Sequence, residues 1–260
     1  MVGPETPELG RVVMVIPTYN EASNLRVVIE RLRRAERDVD VLIVDDNSPD
    51  GTGVIGDELA SGDPSVSVLH RPVKEGLGAA YLHGFRVALS RGYDVIGEMD
   101  ADCSHQPEQL HRLLEALPHA DLVIGSRWVP GGSIVNWPRR RRLLSRAGNF
   151  YTRVLLDIRV RDATAGYRLF RRATLEQIRL DSTVSSGYVF QAELAYRTLR
   201  EGLRVVEVPI EFVERERGDS KMSPRVAIES LERITRWGIS ERARGIRRTI
   251  RRRGRALHKA

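Results

Sequence analysis

Cysteine is nearly absent from this 260-residue chain: Cys103 is the only one. A disulfide framework is therefore excluded, and a reducing compartment is expected. No apolar run approaches the roughly 18 residues of a membrane span, and no signal-peptide pattern opens the chain. A Walker A loop, a G-x-S-x-G elbow, paired histidines at zinc spacing and a Cys/His nucleophile arrangement are missing too. Their absence removes P-loop NTPases, serine hydrolases and zinc or cysteine catalysis from consideration. His70, His83, His105, His111, His119 and His258 are scattered and read as surface or helix-capping residues, and Cys103 reads as a small buried side chain. Hydrophobic residues make up 41% of the chain, which excludes whole-chain disorder and suffices for one large domain or two small ones. A soluble, cytoplasm-facing protein is expected.

Acidic residues are missing from one segment and nearly so from another. The chain carries 42 Lys+Arg against 35 Asp+Glu, a net charge of +7. Residues 127–153 hold seven arginines and no acid, residues 241–260 hold a net +8, and the rest of the chain is left at −8. No RNP, zinc-finger or helix-turn-helix pattern accompanies the basic segments, so nucleic acid is not expected as a partner. Two basic patches on an acidic body suit an anionic membrane surface or a phosphate-bearing ligand.

Apolar, β-branched runs at residues 12–16, 39–44, 66–69, 94–99 and 121–124 predict strands. Helical patterns separate them: Leu25, Val28, Ile29 and Leu32 form one stripe, glycines at 76 and 78 open a second helix, and Pro107 opens a third that ends near Pro118. Alternating strands and helices predict an α/β fold with a largely parallel sheet and a site at the strands' C-terminal ends. Polar clusters at 17–21, 45–50 and 100–102 fall at such ends. The simplest division is a loose N-terminus at 1–10, one catalytic domain at 11–240 and a basic tail at 241–260. The tail offers only Ile246, Ile250 and Leu257 as an apolar stripe, and electrostatic docking on anionic lipid is its expected role.

Residues 138–156 differ in kind. Leu143, Leu144, Ala147, Phe150, Tyr151, Val154 and Leu155 recur at helical spacing, with arginines and Asn149 filling the remainder. Such a pattern describes either a core-packing helix with a solvated face or an interfacial helix lying at a bilayer surface. The absence of acid favours the interfacial helix, because solvated faces usually mix signs.

Asp100 and Asp102 stand one residue apart after an apolar strand, and extended-chain alternation would keep their carboxylates on one side. Paired carboxylates suit a hard divalent cation, Mg2+ or Mn2+, which in turn would hold a substrate diphosphate. A solvated turn is the alternative for a bare Asp-x-Asp, but Glu21, Asp45 and Asp46 at neighbouring strand ends weigh against it. The chemistry left standing is metal-assisted group transfer from a diphosphate.

Val15-Ile16-Pro17-Thr18-Tyr19-Asn20-Glu21, Val44-Asp45-Asp46-Asn47-Ser48-Pro49-Asp50-Gly51-Thr52 and Met99-Asp100-Ala101-Asp102 resemble family 2 glycosyltransferases of the GT-A fold. Gly125-Ser126-Arg127, Asn136-Trp137-Pro138, Gly166-Tyr167-Arg168, Gly187-Tyr188-Val189-Phe190-Gln191 and Ser220-Lys221-Met222 extend the similarity from about residue 12 to 238. They narrow it to polyprenol or dolichol monophosphate mannose synthases of the actinobacterial type. The resemblance implies a Rossmann-like, mostly parallel GT-A sheet flanked by helices, and an inverting, metal-dependent transfer of mannose from GDP-mannose to a polyprenyl phosphate.

By motif position, Pro17, Tyr19, Glu21, Val44, Asp46, Ala101 and Gln191 would bind the nucleotide sugar, with Arg215 and Lys221 closing over its diphosphate. Asp100 and Asp102 would be the catalytic metal ligands, and Ser104 stands where relatives supply a third polar ligand such as Gln. Arg127, Arg141 and Ser145 would hold the acceptor phosphate, Arg127 taking a catalytic part. Many relatives end in transmembrane helices and this sequence in a charged tail. A peripheral place on the cytoplasmic face of the plasma membrane is therefore expected, direct or through a membrane-embedded anchor protein. A polyprenyl-phosphate glucosyl- or amino-sugar transferase of the same fold is the alternative activity.

Overall fold

The five apolar runs form strands: four present β-branched residues to both faces of a covered sheet, and the fifth, at 66–69, sets Val66 and Val68 on one face of an edge strand. The computed structural model describes residues 9–180, 188–215 and 231–240. Residues 1–8 of the N-terminal end, Lys221 and the basic tail at 241–260 lie outside the described residues.

Strand β1 (Val12–Thr18) is buried at every position and pairs in parallel with β2 (Val39–Asp45) on one side and β4 (Val95–Glu98) on the other. β3 (Val66–His70) extends the β2 edge. Beyond β4 the order continues through β7 (Arg168–Arg171), β5 (Leu122–Ser126) and β8 (Val205–Pro209), giving β3-β2-β1-β4-β7-β5-β8. The sheet is mixed rather than wholly parallel, since β7 runs antiparallel to both β4 and β5. A separate two-stranded parallel ribbon joins β6 (Ser133–Val135) to β9 (Glu211–Val213). Chain order reverses between β1 and β4, where open α/β sheets place their ligand crevice.

On one face, α1 (Leu25–Ala35) buries its predicted stripe of Leu25, Val28, Ile29 and Leu32 beside Leu110 and Leu113 of α4 (Leu110–Ala116). The helix opened by Pro107 begins as a 3-10 turn, Pro107–Gln109, ahead of α4. α2 (Thr52–Gly62) follows the 45–50 turn. On the other face, Tyr81 and Phe85 of α3 (Leu77–Ser90) meet Phe190 of α7 (Tyr188–Arg200), with ring centroids 6.1 and 6.5 Å apart. At Gly84, α3 approaches β1 so closely that a Cβ would lie 2.4 Å from Cγ1 of Val15, so any larger residue would force the helix off the sheet. A short helix, α6 (Arg172–Gln177), follows β7 directly.

The predicted helix at 138–156 is present as α5 (Arg139–Leu156), but it packs the other way round from a core helix. Its buried residues are Asn149, Thr152 and Leu156, whereas Leu143, Leu144, Phe150 and Val154 are 71, 55, 64 and 57% exposed. Residues 231–240 form a further helix, α8, whose Thr235 Oγ1 lies 2.6 Å from the Tyr151 hydroxyl of α5. No described helix is long and apolar enough to cross a membrane.

One buried charge ties the sheet to the site. Arg168 is fully enclosed, donating to the carbonyls of Ala163, Ala165 and Gln191 at 2.7–2.8 Å, with Nε 3.3 Å from Oε1 of Glu98. Burial pushes the Glu98 carboxyl up to about 8, against the pull of Arg168 and of Gln191 Nε2. Arg168 thus fastens the 162–166 loop to β4 and α7. Arg168→Met should cost about 3–5 kcal/mol, because three carbonyls lose their donor and Glu98 the neighbouring positive charge at once. A fall in the urea midpoint of that order checks it; an unchanged midpoint would show the guanidinium to be dispensable.

Candidate active site

Three of the four strand ends nearest the reversal point carry the polar clusters, and they serve different purposes. After β1, Tyr19 lies under the ammonium of Lys74, 3.4 Å from the ring centroid, and Asn20 takes a left-handed turn at φ 57°. Glu21 is buried; its backbone N–H donates to Thr52 Oγ1 at 2.9 Å and its carboxylate accepts from Asn24 Nδ2 at 2.9 Å. Pro17 and Val44 are buried in the paired strands beneath.

The 45–50 cluster is a scaffold for its own turn. Asp45 accepts from Ser48 Oγ at 2.5 Å and Thr18 Oγ1 at 3.3 Å, and Asp50 from the amides of Ala22 and Thr52. Asp46 is paired with the buried guanidinium of Arg71 and accepts the Gly76 amide at 2.9 Å, where α3 begins. Arg71 also binds Glu75 and donates to His83 at 3.0 Å. Arg71 and Lys74 were not among the residues singled out from sequence; a basic pair immediately after a strand, in His70-Arg71-Pro72-Val73-Lys74, was the available signal.

After β4 the chain leaves the strand at Glu98, so Asp100 and Asp102 sit in a bend rather than on extended chain. Strand alternation is therefore not what aligns them, yet both line one cavity. Asp100 accepts from the Tyr81 hydroxyl at 3.3 Å, lies 3.8 Å from His105 Nδ1, and has a side chain 35% exposed. Gly166 lies so near that a Cβ there would stand 3.3 Å from Asp100 Oδ1. Asp102 is buried and held on two sides: Arg215 Nη2 lies 2.8 Å from one oxygen, and Ser104 Oγ and N donate to the other at 2.5 and 3.0 Å. Burial pushes the Asp102 carboxyl up, but Arg215, Ser104 and His105 outweigh it and hold it below the usual carboxylate range. Ala101 packs into the core, so only its backbone faces the turn.

His105 corrects the sequence expectation of a surface histidine. It is buried between Tyr167 and Phe212, at 5.3 and 5.2 Å between centroids, and burial lowers it to about 4, so it is neutral at pH 7.

The cavity, of about 790 Å³, runs from the acid pair to the exposed flank of α5 and to Leu231 and Ile234 of α8. Arg127, at the end of β5, grips the fully buried Asp162 through Nε at 2.8 Å and Nη2 at 2.7 Å and reaches Thr164 Oγ1 at 3.1 Å. Burial raises the Asp162 carboxyl, but Arg127 outweighs that and holds it below the usual range. Arg141 pairs with Glu214 at 2.6 Å and stacks on Trp137, 4.1 Å from the ring centroid. Ser145 lines the same wall. The structure thus brings together Asp100, Asp102, Arg127, Arg141, Ser145 and Arg215. It places Gln191 elsewhere, in the core with Nε2 3.2 Å from Glu98. Asp162 and Thr164, which orient Arg127, carried no local signal: they meet it across 35 and 37 residues of sequence.

Among the described residues, no group of three or more His, Cys, Asp or Glu side chains is gathered to cage a metal. Asp100 and Asp102 do fit a hard cation that takes one or two carboxylates and fills its other positions with phosphate and water oxygens. The guanidinium against Asp102 shows that this carboxylate already accommodates a positive group. Ser104 spends its hydroxyl proton on Asp102, which fits a residue that orients the carboxylate.

A family model described as glycosyl transferase family 2 matches residues 13–179. The chain is 57% identical over 237 residues to an undecaprenyl-phosphate mannosyltransferase of Micrococcus luteus, covering 91% of this chain and 98% of that protein. It is 53% identical over 241 residues to a polyprenol monophosphomannose synthase of Mycolicibacterium smegmatis, covering 91% of each. Among solved structures, it is similar to glucosyl-3-phosphoglycerate synthase from Mycobacterium tuberculosis in complex with Mn2+, UDP and glucosyl-3-phosphoglycerate. There the TM-score is 0.65 at 19% identity, covering 93% of this chain and 85% of that one. A mannosyltransferase from Pyrobaculum calidifontis in complex with GDP-Man and Mn2+ gives a TM-score of 0.54 at 19% identity, covering 92% and 74%. Those two likenesses establish a shared glycosyltransferase fold of the GT-A kind. With the family pattern spanning most of the chain, and two relatives more than half identical over nearly their whole lengths, the chain belongs to glycosyltransferase family 2.

Proposed function

We propose that this protein transfers mannose from GDP-mannose to a polyprenyl phosphate. The two relatives above 50% identity, named for mannosyl transfer to such lipids, support this activity. The observation that carries it structurally is the single cavity in which an acid pair and three arginines open onto an apolar passage along α5. A charged head and a long hydrocarbon tail need that combination.

The acceptor phosphate is anionic near neutral pH, so its oxygen attacks the anomeric carbon without a strong base. The carbon–oxygen bond to GDP breaks in the same displacement, which inverts the α-linked donor to a β-linked product and leaves both charges on phosphates. Arg127 and Arg141 would seat the acceptor phosphate, each guanidinium oriented by its own carboxylate. Arg215 would release Asp102 to meet the donor diphosphate, and Lys221 would join it there. Asp100 and Asp102 would hold Mg2+ or Mn2+, whose charge stabilises the departing diphosphate. Tyr19, Glu21 and Asp46 shape the nucleotide side, Asp46 by fixing Arg71 and the start of α3.

Helix α5 would lie at the bilayer surface, with Leu143, Leu144, Phe150 and Val154 in the acyl boundary; each buried side chain of that size contributes roughly 1.5–3 kcal/mol. The protein would then sit peripherally on the cytoplasmic face, with the basic tail as a second contact.

Incubation with labelled GDP-mannose, Mn2+ and a polyprenyl phosphate should yield label that extracts into organic solvent. Preference for UDP-glucose or a UDP-amino sugar in a donor panel would move the assignment to the sister activity, and no extractable label with any donor would reject it.

A further inference from the structure

Helix α5 has a recess on each side. One is the cavity just described. The other, of about 460 Å³, is lined by Trp128, Leu143, Arg146, Phe150, Arg153 and Arg161 among others. The two recesses differ in how their cations are balanced. In the first, Arg127, Arg141 and Arg215 each face a carboxylate of the protein. In the second, Arg146, Arg153 and Arg161 form no ion pair among the described residues, and no acid lines the recess. Arg146 instead stands over the Trp128 ring, 5.6 Å from its centroid.

Two buried donors at this recess, Trp128 Nε1 and Arg153 Nε, find no acceptor among the described residues. Asn149 Oδ1, on the wall shared with the first cavity, is also unpartnered. Unpaired buried donors are uncommon in folded proteins, and their gathering with three uncompensated guanidiniums selects a ligand rich in acceptors and negative charge. The position of the recess narrows that ligand further. Leu143 and Phe150, 71 and 64% exposed, stand at its rim, so an anion bound here has apolar side chains projecting beside it.

We propose that this recess binds the phosphate of an anionic phospholipid headgroup while Leu143 and Phe150 enter the adjoining acyl layer. The site is separate from the one that seats the acceptor phosphate, and it fixes the rotation of α5 so that the catalytic cavity opens onto the bilayer. The proposal rests on α5 lying at a membrane surface, but not on which sugar is transferred.

The test compares two double variants of the full chain. Arg146→Ala with Arg161→Ala empties the recess of two cations. Arg139→Ala with Arg140→Ala removes the same charge from exposed positions of α5 outside it. Binding is measured to phosphatidylcholine vesicles with and without phosphatidylglycerol at physiological salt, where diffuse attraction is screened. The recess variant should bind the phosphatidylglycerol vesicles roughly tenfold more weakly than the control variant, the scale of one lost charge-assisted hydrogen bond. Equal losses would leave only diffuse charge and overturn the proposal. Millimolar inorganic phosphate should not release the wild-type chain; release would assign the recess to a soluble phosphate and overturn the lipid. Turnover of a short, water-soluble prenyl phosphate should be the same in the recess variant and the wild type. A drop confined to the recess variant would make the recess part of the acceptor site, whereas no turnover in the wild type would count against the activity and leave the vesicle result standing.

Discussion

Asp100→Ala and Asp102→Ala are each expected to lower mannosyl transfer roughly a thousandfold, the several kcal/mol of charge stabilisation that an anchored divalent cation contributes. Their effects on stability should differ, because the two carboxylates are held differently. Asp100 is one-third exposed, with a 3.3 Å contact from Tyr81 and a 3.8 Å approach to His105, so its removal should cost less than that of the buried Asp102. Asp102 is buried between Arg215 and Ser104, and alanine there leaves a guanidinium and a hydroxyl without their acceptor, at about 3 kcal/mol or more. Asp102→Asn keeps the shape and removes the charge, which separates the catalytic loss from the structural one. Initial rates across a Mn2+ titration, set beside urea midpoints, check the pair. Turnover near wild type in Asp100→Ala or Asp102→Asn, with normal metal dependence, would reject these residues as the metal anchors.

Four of the five strands legible from sequence, β1, β2, β4 and β5, are buried on both faces and read as unbroken apolar runs. The fifth, β3, was marked by Val66, Val68 and Leu69 although it lies at the sheet edge half-buried. β7 was not legible. Its four residues begin and end in arginine, and the buried Arg168 serves Glu98 and three carbonyls that are invisible in one dimension. The same limit governs the site. Asp100 and Asp102 stand out because acids after an apolar strand are conspicuous, whereas Asp162 and Arg71 acquire their meaning only from partners 35 and 25 residues away. Helix α5 shows a further limit. Periodicity located the helix to within one residue, but a periodic apolar stripe states only that two faces differ. Which one turns inward depends on the polar residues Asn149, which bonds Thr164 Oγ1 across to the 162–166 loop, and Thr152, which is buried with its hydroxyl satisfied by the Gly148 carbonyl of its own helix.

Arg127 and Asp162 are expected to behave as one unit, with a large loss of stability when either is removed and a smaller one when both are. Asp162 is fully buried and its oxygens meet Arg127 through three donors at 2.7–3.0 Å, so Arg127→Ala strands a carboxylate in the interior, and Asp162→Ala strands a guanidinium. Either should cost about 3–5 kcal/mol, a fall of roughly 10 °C in Tm for a chain of this size. The double variant removes both charges and should recover part of that loss. Because the folded Asp162 carboxyl is depressed, the pair's contribution is complete above the unfolded carboxylate value of about 4 and disappears as pH falls through the lower folded value. Arg141 offers the contrast: it and Glu214 are both partly exposed, so Arg141→Ala should leave Tm nearly unchanged. On the acceptor side the two arginines should agree. Each substitution should raise KM for polyprenyl phosphate roughly tenfold or more while moving KM for GDP-mannose much less, since each removes a charge-assisted hydrogen bond to the acceptor phosphate alone. Scanning calorimetry of the two single variants and the double, with kinetics on both substrates, tests the unit. Additive Tm losses would dissolve it, and a primary loss of GDP-mannose affinity would move Arg127 and Arg141 to the donor side of the cavity.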